Sequence, residues 1–87
     1  MLDYFVEFIG TFIFLSVIII TGNPLAIGLT LASLAWFGSK VSGANYNPAV
    51  NVMMFLNKKQ NLEKLIGYSV VQIAAAAAAF FFYKSIK

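Results

Sequence analysis

The sequence contains no cysteine, no histidine and no arginine, and only two prolines. Without cysteine there is neither a disulfide nor a thiolate metal site. Without histidine the chain lacks the commonest metal ligand and the commonest general base. Acidic residues are limited to Asp3, Glu7 and Glu63, which offer no paired-carboxylate site. The composition therefore argues against an enzyme and against a resident metal or cofactor. The six lysines give a net charge of +3, but they are scattered and form no basic patch of the kind that binds nucleic acid.

What fills the 87 residues is apolar: 61% are hydrophobic, and the mean hydropathy is +0.85. A soluble domain of this size would carry far more charge, so the composition points to an integral membrane protein. Asp3 and Glu7 occupy the place of a signal peptide's basic region, and no small-residue cleavage pattern follows. The first segment is accordingly expected to be a retained helix.

Three apolar segments, about 4–21, 25–41 and 62–83, approach the ~20 residues that a helix needs to cross a bilayer. "TGNP" (21–24) reads as the turn between the first two, with Pro24 opening the second helix. Asn61 is placed to cap the third, with Glu63 in its positive first turn. Between the second and third segments, about 42–58, a polar, glycine-containing start gives way to the short apolar stretch "AVNVMMFLN" (49–57). Its length suits a re-entrant half-helix, with Asn47 as N-cap, Pro48 at the first position, and Lys58 and Lys59 at the watery end. The expected fold class is therefore an all-α membrane protein of three transmembrane helices and one re-entrant half-helix.

A few polar residues lie inside the helices at helical spacing: Glu7 with Thr11, and Tyr68 with Gln72. An ionisable group in a membrane helix faces protein or water by default. Small residues recur as well. Gly28 with Ala32, and the run Ala74 to Ala79, read as close helix contacts or, for the alanines, as simple helical filler.

The stretch "SGANYNPAV" (42–50) resembles the first signature loop of the aquaporin, or major intrinsic protein, family. "EFIGTFIFL" (7–15), "LAIGLTLA" (25–32) and "YSVVQIAAA" (68–76) resemble its first three helices in the same order and spacing. The resemblance implies a passive channel for water and small neutral solutes such as glycerol, in a cell membrane and without cofactors. Asn47, Pro48 and Ala49 would be the NPA signature at the pore centre, and Gly43, Ala44 and Asn45 an extended row of pore carbonyls. Glu7 and Gln72 would support the loop. Ile27, Ala35 and Val50, with Ala44, would form the constriction.

Proteins of this family carry two such repeats, inverted across the membrane, and the present chain has one. Two copies meeting as an antiparallel homodimer would rebuild the arrangement, with further association of pores into a higher oligomer. With the N-terminus inside, Lys40, Lys58, Lys59 and Lys64 fall inside and Lys84 and Lys87 outside, a mild bias that permits dual topology. The departures from the family pattern bear on selectivity. The second loop's arginine has no counterpart, Asn45 stands where histidine is frequent, and Ala75 stands near a frequent glycine. Three alternatives remain open: a non-conducting half-subunit, a heterodimer with a separate second half, and a small holin-like permeabilising protein.

Overall fold

A computed structural model describes all 87 residues, as four helices and no strand. Helix α1 spans Leu2–Thr21, α2 Pro24–Gly38, α3 Pro48–Leu56 and α4 Leu62–Ile86. Gly22, at φ 56°, ends α1 in the left-handed conformation. Each later helix starts at an asparagine whose side chain accepts a backbone N–H: Asn23 from Ala26, Asn47 from Ala49 and Asn61 from Lys64. Prolines occupy the first position of α2 and α3, where no intrahelical N–H is required.

The observed helix starts fall within two residues of the sequence reading, and the ends of α2, α3 and α4 differ from it. Helix α2 stops at Gly38 instead of running to residue 41, because Val41 and Ser42 both donate their N–H to the Gly38 carbonyl and close a tight turn. Helix α3 ends at Leu56, and Lys58 sits at φ 60° in the connection to α4. Helix α4 continues to Ile86, a turn beyond the expected end. Two helices, α1 and α4, are long and apolar enough to cross a membrane, while α2 has 15 residues and rises only ~22 Å.

Helix α1 packs against α2 and α4, and α3 packs against α4. Asp3 meets Lys64 and Tyr68, Tyr4 stacks edge-on to Tyr68 at 5.4 Å, Glu7 meets Gln72, and Phe12 lies 5.6 Å from Phe82. Helices α1 and α4 therefore run parallel. From the turn at 39–42 the chain returns toward the middle of this pair. Asn47 and Pro48 border Thr11, Gln72, Ile73 and Ala76, and α3 then descends again to the start of α4. Ala75 and Ala79, on the same face of α4 as Tyr68 and Gln72, are buried, so part of the alanine run serves close packing. Gly28 and Ala32 are exposed, and no neighbour lies within 4 Å of a Cβ built at Gly28, so this pair makes no helix contact within the chain.

The interior is polar and the exterior apolar. Glu7, Thr11, Ser16, Ser42, Asn45, Asn51 and Gln72 are buried, whereas Leu29, Trp36, Phe37, Val70, Ile73 and Phe81 are exposed. Such a distribution suits a lipid surround, in which polar groups are costly on the outside, although Thr11 Oγ1, Ser16 Oγ and Asn45 Oδ1 have no partner within the chain.

The Tyr46 ring fills the notch between α1 and α2. A Cβ at Gly10 would collide with the ring and one at Gly38 with its hydroxyl, which donates to the Leu34 carbonyl at 2.8 Å. Gly10→Ala is expected to lower stability in thermal unfolding of the micelle-bound protein by about 2 kcal/mol, the range of overpacking a tight contact. Gly28→Ala, with open space around it, is the control and is expected to leave stability unchanged or slightly raised.

Candidate functional site

The site is built around the Glu7 carboxylate, which is fully buried. Its Oε2 accepts the Ser42 hydroxyl at 2.6 Å and the Asn45 N–H at 3.0 Å. Its Oε1 accepts the Tyr46 N–H at 2.8 Å and the Gln72 side-chain amide at 2.9 Å. An anion on α1 accepting three donors from the loop and one from α4 pins the three segments together. Burial of such a charge is tolerable because each oxygen is doubly satisfied.

The loop backbone is not the extended row read from the sequence. Gly43 has φ 93°, Ala44 φ 55° and Tyr46 φ 54°, so left-handed residues interrupt it. The physical reason lies in the donors: the successive N–H groups of Asn45 and Tyr46 converge on one carboxylate, and Ala44 donates to the Ser42 hydroxyl at 3.1 Å. A flat strand would alternate these N–H groups to opposite sides. At Gly43 the positive φ coincides with crowding, since a Cβ there would stand 3.1 Å from the Gln60 amide nitrogen. The carbonyl oxygens of Gly43, Ala44 and Asn45 accept no hydrogen bond from within the chain. The donors of Ala44, Asn45 and Tyr46 are thus used inside, and the acceptors of Gly43, Ala44 and Asn45 are free.

Asn47, Pro48 and Ala49 are exposed at the start of α3. Asn47 Oδ1 is committed to the cap, accepting from Ala49 at 2.8 Å, which leaves the Nδ2 donors turned outward beside the positive helix end. Val50 is half-buried at the next position. Ile27 and Ala35, also half-buried, lie eight residues apart on α2, whose one helix partner is α1 and which meets the loop through Tyr46 at Leu34 and Gly38. A groove of about 270 Å³ beside Asn47 and Pro48 is lined by Thr11, Phe14, Leu15, Gln72, Ile73 and Ala76 among others.

Four participants had escaped the sequence reading. Asn51, fully buried, bonds to Asn45, Ser69 and Gln72. Gln60 takes an N–H from Asn45 and donates to the Ser42 carbonyl. Ser42 and Tyr46 link the loop to Glu7. Only Asn51 carried a visible signal, as a polar residue four positions after Asn47 in an otherwise apolar half-helix. No group of histidine, cysteine, aspartate or glutamate side chains is arranged to hold a metal.

The Major intrinsic protein family model matches residues 18–87, from the end of α1 through the loop and α4 to Lys87. The chain belongs to the major intrinsic protein family. This is a family of membrane channels rather than of enzymes, and its members are integral membrane proteins. The chain is 39% identical over 90 residues to glycerol uptake facilitator protein-like 6 of Lactiplantibacillus plantarum, an alignment covering 91% of this chain and 41% of that protein. It is 31% identical over 87 residues to the probable aquaporin PIP-type 7a of Pisum sativum, covering 80% of the chain and 30% of the relative. Aquaporin Z of Brucella melitensis shares 36% identity over 58 residues, covering 67% of the chain and 25% of that protein. The chain thus matches less than half the length of each of these three relatives. No solved structure matches it.

Proposed function

We propose that the chain is one half-repeat of a passive channel for water and small neutral solutes such as glycerol, completed by a second copy in inverted orientation. The observation that carries this reading is the division of labour in the loop. The N–H groups of Asn45 and Tyr46 are tied to Glu7, while the carbonyls of Gly43, Ala44 and Asn45 and the side-chain NH₂ of Asn47 are left without partners in the chain. Irregular backbone at membrane depth persists where it lines water or is buried in protein, and free carbonyls beside a free amide offer water a continuous set of partners.

In this arrangement α1, α2 and α4 span the membrane, and the loop with α3 forms a half-crossing that reaches the midplane at Asn47. The second copy covers the exposed Asn47–Pro48 end and the groove beside it. Each pore mouth is then narrowed by Ile27 and Ala35 of one copy with Ala44 and Val50 of the other, an apolar ring without arginine. Such a ring is wide and uncharged enough to pass glycerol. The positive end of α3 and the Asn47 amide disfavour cations.

Stopped-flow light scattering on liposomes holding only this chain tests the reading. Shrinkage in hyperosmotic sucrose is expected to be clearly faster than in empty liposomes, followed in glycerol by rapid re-swelling. The same chain, folded and inserted but giving no acceleration, would overturn self-sufficient pore formation. Because the sequence has no cysteine, a single Ser85→Cys thiol reports orientation. Impermeant reagent added outside is expected to label a fraction well short of all copies, and complete or absent labelling would refute the inverted pair.

A further inference from the structure

Gln72, Glu7 and Asn51 are the largest fully buried side chains of the molecule. Glu7 and Gln72 hold the loop directly, whereas Asn51 lies one turn inside α3, away from the exposed NPA end. Its Nδ2 donates to Gln72 Oε1 at 2.7 Å and to Ser69 Oγ at 3.0 Å, and its Oδ1 accepts from Asn45 Nδ2 at 2.8 Å. We propose that Asn51 is a positioning residue of the channel, which relays the polarity of the Glu7 carboxylate through an amide circuit and so gives the loop a single orientation. The proposal rests on the channel reading above and names the residue that keeps its carbonyls aimed.

The argument is one of donors and acceptors. A primary amide can turn over, so a row of amides has two polarities unless one end is fixed. An ionised carboxylate only accepts. Glu7 Oε1 therefore demands the Gln72 nitrogen, which leaves the Gln72 oxygen facing Asn51. Asn51 must then present its nitrogen to Gln72 and its oxygen to Asn45. The same pair is reinforced by the Gln72 amide nitrogen at 3.3 Å from Asn51 Oδ1. Asn45, with its nitrogen so directed, donates its other hydrogen to Gln60 Oε1 at 2.8 Å, and Gln60 donates to the Ser42 carbonyl at 3.3 Å. The circuit closes where it began, because the Ser42 hydroxyl donates to Glu7. Asn51 joins the Gln72 amide of α4 to the Asn45 side chain of the loop, and so carries the polarity set at Glu7 onward to Asn45 and Gln60. An apolar residue there would leave the Gln72 oxygen and one Asn45 hydrogen without their partners.

Asn51→Asp tests the relay, since an ionised aspartate has no donor for Gln72 whereas a protonated one restores it through its O–H. The titratable groups around this position are Glu7 from α1, Tyr46 from the loop and Tyr68 from α4. Beyond Tyr68 lies Asp3, whose carboxylate is paired with the Lys64 ammonium. The readout is therefore the ratio of variant to wild-type water permeability at each pH. It is expected to be near one at about pH 5 and to fall at least about fivefold by about pH 9, as the carboxyl ionises. A ratio that does not change with pH, whether high or uniformly low, would overturn the relay.

A second measurement does not depend on conduction. In Asn51→Leu the backbone N–H groups of Asn45 and Tyr46 are expected to exchange with solvent deuterium about tenfold faster by NMR in micelles, while α1 and α4 amides keep their protection. Unchanged exchange at these two amides would also refute the proposal. If wild-type liposomes show no water flow, the channel reading fails, and the exchange experiment still decides the role of Asn51.

Discussion

Glu7→Gln is expected to abolish accelerated water flow and to destabilise the fold by about 3 kcal/mol, although it changes one atom of the side chain. Both carboxylate oxygens carry a backbone donor, Asn45 N–H on one and Tyr46 N–H on the other. Whichever way the new amide turns, its NH₂ confronts one of these two. Ser42 can rotate its hydroxyl and Gln72 can reverse its amide, but a backbone N–H has no such freedom. One buried donor is therefore orphaned in either orientation, and the charge that strengthened the other bonds is lost. Thermal unfolding in micelles and stopped-flow scattering in liposomes check the two parts together. A Glu7→Gln protein with wild-type stability and flow would show that the loop is held by something other than the carboxylate.

Asn47→Asp is expected to do the opposite to stability while still altering transport. Aspartate caps a helix as well as asparagine does, so the bond from the Ala49 N–H is retained. An anion at the start of α3 also gains about 0.3–1 kcal/mol from the helix dipole. The melting temperature should hold or rise slightly. What changes is the outward-facing atom, where a neutral donor becomes a charged acceptor. Glycerol re-swelling is expected to slow by about tenfold, the order of one lost pore contact, and potassium release from loaded liposomes to become measurable. Unaltered glycerol flow and intact potassium retention would remove Asn47 from the pore. The two substitutions together separate damage to the scaffold from damage to the path.

Much of the helical layout was legible because its causes are local. Apolar length, the Gly22 stop and the asparagine–proline starts at residues 23–24 and 47–48 are written in neighbouring residues. Glu7 and Gln72 stood out as polar residues in apolar helices, and the structure brings them within 2.9 Å of each other. The early end of α2 was hidden. Val41 continues the apolar run, while the turn after Gly38 draws Ser42 back to Glu7, 35 residues away. The left-handed loop was hidden for the same reason, since its dihedrals answer to a carboxylate on another helix. Tyr46 read as one more aromatic until Gly10 and Gly38 were seen to leave room for it. Gln60 lay in what read as a polar linker. Membership of the channel family rests on residues 18–87, so Glu7 gains its meaning from contact with the matched region rather than from lying within it.

The polar interior has a thermodynamic consequence. Only Tyr46, Tyr68, Ala75 and Ala79 make up the buried hydrophobic set. Most apolar side chains face lipid or detergent in the native state and would still do so after the helices separate. Separation therefore hydrates little hydrocarbon, the source of the large positive heat-capacity change in water-soluble proteins. The free energy of this assembly should vary almost linearly with temperature, without the broad maximum near ambient temperature or the cold-induced loss of structure that a hydrocarbon core brings.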